Sequence, residues 1–315
     1  MNKKILLFLV ILLIVGCKEK VIEDKESKAI ISEIQGNVEI YSNEKWIKAV
    51  EDQDLSLNDK IKTGENSTAA LILHESIFVE IDPLTEVEIG SLSNDNTILK
   101  QDKGTTWNKF TDVAGISSYS VQTPTTIASV RGTEFEISSD EEASTLIVEE
   151  GEVDFKADNE EVIVKSNEKF MVKREKLKDR MTKKMEKLEM GLKDRERMAK
   201  RVEKNVKRME KVKERVMRRA KMEEGKVKEL FEKTKKGEIS REEFEKRTKL
   251  KPNAARKVFE MDKKVNREVE RVKQIKTIKE EVKEVRKDLK SKIENNVENR
   301  RLRYDEAKIR RRIDS

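Results

Sequence analysis

The feature that most constrains the fold of this chain is an abrupt change in residue pattern and charge near Val172. Residues 17–172 contain 15 Lys and Arg against 33 Asp and Glu, whereas residues 173–315 contain 53 against 30. The overall charge of +7 therefore hides two halves of opposite sign. Such an asymmetry predicts two regions that either bind different partners or attract each other.

The acidic half has the residue pattern of a β domain. From residue 30 to residue 172, short apolar runs alternate with polar residues, and Gly, Asn, Asp or Ser interrupt them at regular intervals. Runs such as Ile77–Ile81 and Glu86–Ile89 have the period of two that places successive side chains on opposite faces of a sheet. We therefore predict an all-β domain over residues 30–172, which is long enough to bury a core.

The basic half, residues 173–315, is predicted to be helical, which makes the fold class α+β in separate domains. Apolar residues recur there at steps of three and four, and two near-heptad stripes are expected to face each other or a second copy of the chain, as a helical hairpin or coiled coil. Short helices at about 226–250 should separate the stripes, because Gly237 and Pro252 interrupt them and Ser240 can cap a helix. The first stripe contains Met181, Met185, Leu188, Leu192, Ala199, Val202, Val206, Met209, Val216 and Ala220. The second contains Met261, Val265, Val269, Val272, Ile275, Val282, Val285, Leu289 and Ile293. Between them, the expected apolar cluster is Leu230, Phe231, Phe244, Leu250 and Phe259.

The N-terminus reads as a lipoprotein signal. Two lysines precede an apolar run from Ile5 to Val15, which is followed by Gly16 and Cys17. The run is shorter than the roughly 20 apolar residues that span a membrane. We therefore expect residues 1–16 to be a cleaved signal peptide, Cys17 to be lipidated, and residues 17–29 to be a linker.

Composition removes several kinds of active site. Cys17 is the only cysteine and His74 the only histidine. With only one residue of each type, we expect no Ser-His-Asp triad, no Cys-His pair and no ordinary zinc site. We predict no catalytic residues, no metal and no cofactor, and hence no enzyme. His74 is expected to be a strand residue facing a turn, while Trp46 and Trp107 are expected to be core or rim aromatics.

Several segments of the acidic half resemble the FecR family domain, and the resemblance covers roughly residues 30–172. The most specific is the segment that contains Thr123-Pro124 and Val130-Arg131-Gly132-Thr133-Glu134-Phe135. The resembling segments are Trp46–Ala49, Leu57–Ala69, Glu75–Ile89, Val121–Ile137 and Val148–Val153. The resemblance implies an extracytoplasmic β domain, found in iron-uptake signalling proteins that couple an outer-membrane receptor to a sigma factor and also in surface proteins. Only Met1–Lys4 precede the apolar run, so we expect no direct contact with a cytoplasmic sigma factor.

The residues of the specific segment have two interpretations. Arg131 lies between two strand-like runs, so it is expected to be drawn partly into the domain, where it would need a carboxylate. In that structural interpretation Gly132 permits a bulge or a close backbone approach. The alternative is a ligand-binding role. The candidate residues for either role are Thr123, Pro124, Arg131, Gly132, Thr133 and Glu134.

The strongly basic C-terminal tail is either a solvated helix end or a contact with an anionic surface. Its candidate contact residues are Arg300, Arg301, Arg303, Arg310, Arg311 and Arg312. The expected partners are the membrane, through lipidated Cys17, and peptidoglycan or an envelope protein, with no nucleic acid and with a homo-oligomer formed through the helical stripes. These features predict a lipid-anchored envelope protein, on the outer membrane rather than the inner one, that is a binding or scaffold module. The alternative is a sensor component that relays an envelope signal through a transmembrane partner.

Overall fold

A computed structural model describes residues 28–111, 113, 115–158, 160–177, 180–189, 191–220, 222–277, 280, 283, 284 and 287. Among these residues, 16 strands precede four helices. The first eight strands are β1 Ala29–Gln35, β2 Val38–Ser42, β3 Lys45–Lys48, β4 Lys60–Thr63, β5 Thr68–Leu73, β6 Ile77–Ile81, β7 Glu86–Leu92 and β8 Thr97–Phe110. The next eight are β9 Tyr119–Gln122, β10 Ile127–Val130, β11 Glu134–Ser139, β12 Ala143–Glu150, β13 Glu152–Ala157, β14 Glu160–Lys165, β15 Lys169–Leu177 and β16 Arg180–Leu188. The helices are α1 Leu192–Arg218, α2 Glu224–Lys235, α3 Arg241–Thr248 and α4, residues 252–277.

The strands form two sheets that share the long strand β8. Sheet A has the order β1-β5-β6-β8-β11-β12-β15-β16, and sheet B has the order β3-β2-β4-β7-β8-β9-β10-β13-β14. The first half of β8 pairs with β7 and β9, and its second half pairs with β6 and β11. Strand β8 passes between the sheets at Gly104, which has a φ of +91°. All pairings are antiparallel except that of β8 with β9.

The core lies between the two sheets and follows the predicted alternation. Inward side chains include Ile40, Leu71, Val121 and Phe135, each with no exposed surface. The all-β character predicted for the acidic half is confirmed, because these residues recur at every second position of their strands.

The helical stripes begin later than the sequence predicts. Strand β15 continues past residue 172, pairs with β12 over Lys169–Lys173, and then turns into β16. Met181, Met185 and Leu188, which we expected on a helix, therefore lie on strand β16. The free edge of β12 explains this, since extending the sheet satisfies backbone groups that a helix would leave without partners.

The helices form a hairpin with short helices at its tip. Helices α1 and α4 run antiparallel, as the pairs Lys276–Glu203 at 2.9 Å and Lys213–Asp262 at 2.9 Å show. At the tip, the Ser240 hydroxyl accepts a hydrogen bond from the Glu243 backbone N–H, which confirms the predicted cap of α3. The predicted tip cluster is also confirmed, because its members are buried together. They are Leu230, Phe231, Phe244, Leu250 and Phe259.

The hairpin covers the outer face of sheet A, so the molecule has three layers. Ile30, Ile72 and Phe78 point away from the sandwich core and share one apolar cluster with Met209 and Met261 of the helices. The described parts of the two stripes thus meet each other against the sheet, so the acidic and basic halves dock on each other. Val282, Val285, Leu289 and Ile293 of the second stripe lie outside the described residues. Because both faces of sheet A are covered, all five residues of β6 are buried. Among the described residues, no helix has the length and apolar character needed to cross a membrane.

Candidate functional site

The outer face of sheet A is acidic where it lies beneath the helices. We call this surface the docking face and define it by the carboxylates that contact helical cations. They are Glu33, Asp52, Glu75, Glu80, Asp82, Glu134, Glu136, Glu149 and Glu150. The opposite charges of the two halves of the sequence therefore meet at this interface.

Helix α1 presents its cations to the docking face as a stripe beside its apolar stripe. The six residues follow one another at steps of four and three, so they lie on one side of the helix. They are Arg197, Arg201, Lys204, Arg208, Lys211 and Arg215. This spacing is visible in the sequence, and it is the signal by which the docking of the two halves could have been predicted.

The central pairs of the stripe are buried. The Arg201 guanidinium lies 3.0 Å from Glu136 and 2.5 Å from Asp82, and only 5% of its side chain is exposed. Arg208 lies 3.1 Å from Glu80 and 2.9 Å from Glu33. Burial disfavours the charge of Glu80, but the attraction of Arg208 and the neighbouring Lys204 holds the pKa of that carboxyl below its ordinary value. Removing one partner of such a buried pair typically costs 3–5 kcal/mol, roughly, because the other charge stays buried.

Lys109 is the buried cation of the β domain. Its ammonium lies 2.7 Å from Glu134 on β11, 2.5 Å from Glu268 on α4 and 3.6 Å from Glu150 on β12. Burial alone would lower the pKa of Lys109, but Glu134 and Glu268 outweigh it and raise the pKa above its ordinary value. Oxygens of the three carboxylates lie within 4.8 Å of one another, a spacing that could suit a metal ion. The lysine ammonium already contacts all three, so they are explained as its ion-pair partners.

Glu149 extends this cluster because of a β-bulge. The pairing of β11 with β12 shifts between Glu134 and Phe135, which leaves Glu149 as the extra, unpaired residue of β12. Its side chain joins Glu134 in the cluster. The Arg271 guanidinium contacts both carboxyls, at 2.9 Å from Glu134 and 2.5 Å from Glu149.

The two carboxyls of this pair differ in how readily they bind a proton. Glu134 Oε1 and Glu149 Oε2 are buried, and neither has a hydrogen-bond partner among the described residues. Two like charges in one buried site repel each other, which favours the protonated form of one carboxyl. Burial and the charge of Glu134 raise the pKa of Glu149 to about 9. Lys109 and Arg271 overcome burial and lower the pKa of Glu134 to about 2.

The structure divides the predicted motif residues between a turn and the docking face. Thr123 closes the turn between β9 and β10, where its backbone N–H donates to Thr126 at 2.8 Å, and Pro124 lies within that turn. The Thr133 hydroxyl donates to the Glu152 carbonyl at 2.7 Å, and Gly132 beside it has a φ of +71°. Glu134 is the residue of the set that reaches the ion-pair cluster.

The expectation that Arg131 is drawn into the domain is wrong. Arg131 is exposed on the outer side of sheet B, and its guanidinium has no ion pair or hydrogen bond with the described residues. The buried cation that pairs with Glu134 is Lys109, which our sequence interpretation missed. The sequence feature that could have identified Lys109 is its position on β8, two residues after the buried Trp107 and on the same face of the strand.

Two predicted site regions lie outside the described residues, namely Cys17 and the tail from Arg300 to Arg312. The two tryptophans differ in environment, because Trp107 is fully buried whereas Trp46 is 42% exposed on the edge strand β3. His74 lies in the β5–β6 turn with a φ of +50° and is buried.

Comparison with known proteins identifies one family in the β sandwich. The family model described as FecR protein matches residues 59–154, from just before β4 into β13. No curated protein matches the chain. Two crystal structures, at 1.65 Å and 2.50 Å, of a protein from Parabacteroides distasonis ATCC 8503 provisionally assigned as an anti-sigma factor are 14% identical, with a TM-score of 0.35. The similarity covers 41% of this chain and 60% of that chain. The β sandwich thus contains, from residue 59 to residue 154, a region that matches the FecR protein family.

Proposed function

We propose that this protein is a non-catalytic sensing or regulatory component of the cell envelope, tethered by lipid at Cys17. In this proposal the FecR-type β domain recognises an envelope ligand and a transmembrane partner relays the signal. The FecR match over residues 59–154 supports a regulatory role, and the lipobox pattern before Cys17 supports the tether. The helical layer supports the fold of the β domain from its outer side.

The observation that carries the proposal is the pairing of helical cations with the chain's own carboxylates. Arg201, Arg208 and Arg271 are held by Glu136, Glu80 and Glu134 of the β domain. These charges are therefore occupied inside the molecule and are not free to hold an anionic polymer. The outer face of sheet B lies opposite the helices, so recognition by the β domain would use that face.

The tether and the regulatory role need separate experiments. Metabolic labelling with palmitate should mark the wild-type protein, and Cys17→Ala should abolish the label and release the protein from the membrane fraction. For regulation, transcripts should be compared between the wild-type, deletion and complemented strains. We expect the deletion to change a defined set of transcripts and complementation to restore it, and an unchanged transcriptome would contradict a regulatory role.

The second candidate function is a scaffold that holds the cell wall. The basic C-terminal tail favours it, because Arg300–Arg303 and Arg310–Arg312 are clustered cations. Sedimentation of the mature protein with purified peptidoglycan sacculi at low and high salt tests this function. Pelleting that disappears when these arginines are replaced by glutamine, or at high salt, would support the scaffold.

A further inference from the structure

An open cleft lies on the outer face of sheet B, away from the helices. Its volume is about 370 Å³, and it lies where β10, β13 and the segment before β9 meet. Ser129 on β10 is directly paired with Asp154 on β13. Alternation along these strands places both residues on the outer face, since their neighbours Val130 and Val153 point into the core. The lining residues are Ser117, Ser118, Ser129, Val130, Arg131, Glu152 and Asp154.

Two opposite charges line this cleft without contacting each other. Arg131 and Asp154 are both exposed, and within the described part of the chain neither side chain has an ion pair or a hydrogen bond. Glu152, the other charged lining residue, lies 3.8 Å from Lys165 and so already has a cation nearby. The cleft therefore offers one guanidinium and one carboxylate that are not paired with any described residue.

The neutral groups of the cleft are hydroxyls. Ser118 donates its hydroxyl hydrogen bond to the Asp95 carbonyl at 2.9 Å, so it is engaged with the neighbouring loop. Ser117 and Ser129 add hydroxyls that can donate or accept. The volume lies within the range of small-molecule sites, which is about 300–1,000 Å³.

We infer that the cleft binds a small zwitterion, either an amino acid or a short peptide with free ends. The ligand carboxylate would pair with the Arg131 guanidinium, whose two parallel N–H groups match a carboxylate. The ligand ammonium would pair with Asp154, and serine hydroxyls would bind the peptide groups between the two ends. This assignment rests on the proposed recognition role of the β domain and gives it a ligand class. It also gives Arg131 a function, since that residue is exposed and forms no ion pair with any described residue.

The test is a calorimetric titration of the mature chain, made soluble by Cys17→Ser, with three probes. Trialanine carries both terminal charges, N-acetyl-trialanine carries only the carboxylate, and trialanine amide carries only the ammonium. We expect saturable binding of trialanine and at least about tenfold weaker binding of each blocked peptide, because each lacks one charge-assisted contact. Equal binding of the three peptides, or no saturable binding of trialanine, would overturn the inference.

Variants of the two charged residues assign the contacts. In Arg131→Gln, trialanine amide should bind with the same affinity as trialanine. In Asp154→Asn, N-acetyl-trialanine should bind with the same affinity as trialanine. Lys156→Gln is the matched control, since Lys156 is exposed on the same face of β13 and does not line the cleft. An equal loss of binding in all three variants would contradict the assignment. If the deletion strain changes transcription while trialanine does not bind, the ligand class fails and the regulatory proposal stands.

Discussion

The Lys109 ammonium lies 2.5 Å from the Glu268 carboxylate, although the two residues are 159 positions apart in the chain. The contact joins strand β8, which belongs to both sheets, to helix α4, the last described helix. Both side chains are almost fully buried. The β domain and the helical hairpin are therefore connected through a shared charged interior as well as through their apolar cluster.

We expect Lys109→Met to destabilise the protein by roughly 3–5 kcal/mol, because Glu134 and Glu268 would lose the cation that compensates them. Urea unfolding followed by circular dichroism measures the change. Lys100→Met is the control, since Lys100 is about half exposed in its pair with Glu88 and should cost at most about 1 kcal/mol. An equal loss of unfolding free energy for the two substitutions would show that burial does not strengthen the Lys109 ion pairs.

Neighbouring residues on helix α1 provide a second matched pair. Arg208 is buried against Glu33 and Glu80, whereas Lys207 beside it is exposed. We expect Arg208→Met to lower the free energy of unfolding by roughly 3–5 kcal/mol, and Lys207→Met to change it by less than about 0.5 kcal/mol. Chemical denaturation of both variants tests this, and a similar small effect for both would mean that the helix docks through its apolar stripe alone.

The raised pKa of Glu149 predicts a pH dependence. The folded pKa of Glu149, about 9, lies above the ordinary value of 4.5. A raised folded pKa stabilises the protein fully below the unfolded pKa, and this stabilisation is lost as the pH rises through the folded pKa. Glu149→Gln removes the titration but keeps a neutral side chain of similar shape. From about pH 5 to about pH 8, the variant should therefore gain stability over the wild type by up to about 1.4 kcal/mol per pH unit.

The measurement is the urea midpoint of both proteins across this pH range. Glu134 adds no slope there, because its folded pKa of about 2 and its ordinary value of 4.5 both lie below the range. Glu161→Gln, an exposed substitution on β14, should leave the pH profile unchanged. Parallel profiles for Glu149→Gln and the wild type would show that the carboxyl pair holds no extra proton.

Gly104 is expected to tolerate no side chain. It has a φ of +91°, and an added Cβ would lie 2.5 Å from the Thr85 Cα. We expect Gly104→Ala to destabilise the protein by more than about 1 kcal/mol, because both the conformation and the clash oppose alanine. Gly225→Ala, in the first turn of α2, meets no atom within 4 Å and should be neutral or slightly stabilising. Thermal unfolding of the two variants compares them, and equal midpoints would contradict the expectation.

The sequence predicts the layers of this protein better than it predicts their contacts. Alternation identified the core strands, and Gly237, Ser240 and Pro252 located the short helices, because these signals are local. The hairpin β15–β16 was missed because its residues pair with β12, a long-range contact that overrides local helical preference. Arg131 was expected to be buried because the strand pattern does not specify whether a residue just after β10 points into the core or outward. Lys109 was overlooked because its partners lie on three different elements.

The region that matches the FecR family is smaller than the unit that folds. The match ends at residue 154, yet Glu80, Glu134 and Glu136 inside it are neutralised by cations of α1 and α4 that lie outside it. A transfer of this region alone into another protein would leave its buried carboxylates without partners. A version of this region without α1 and α4 would need neutral residues in place of these carboxylates, because an unpaired buried charge is destabilising.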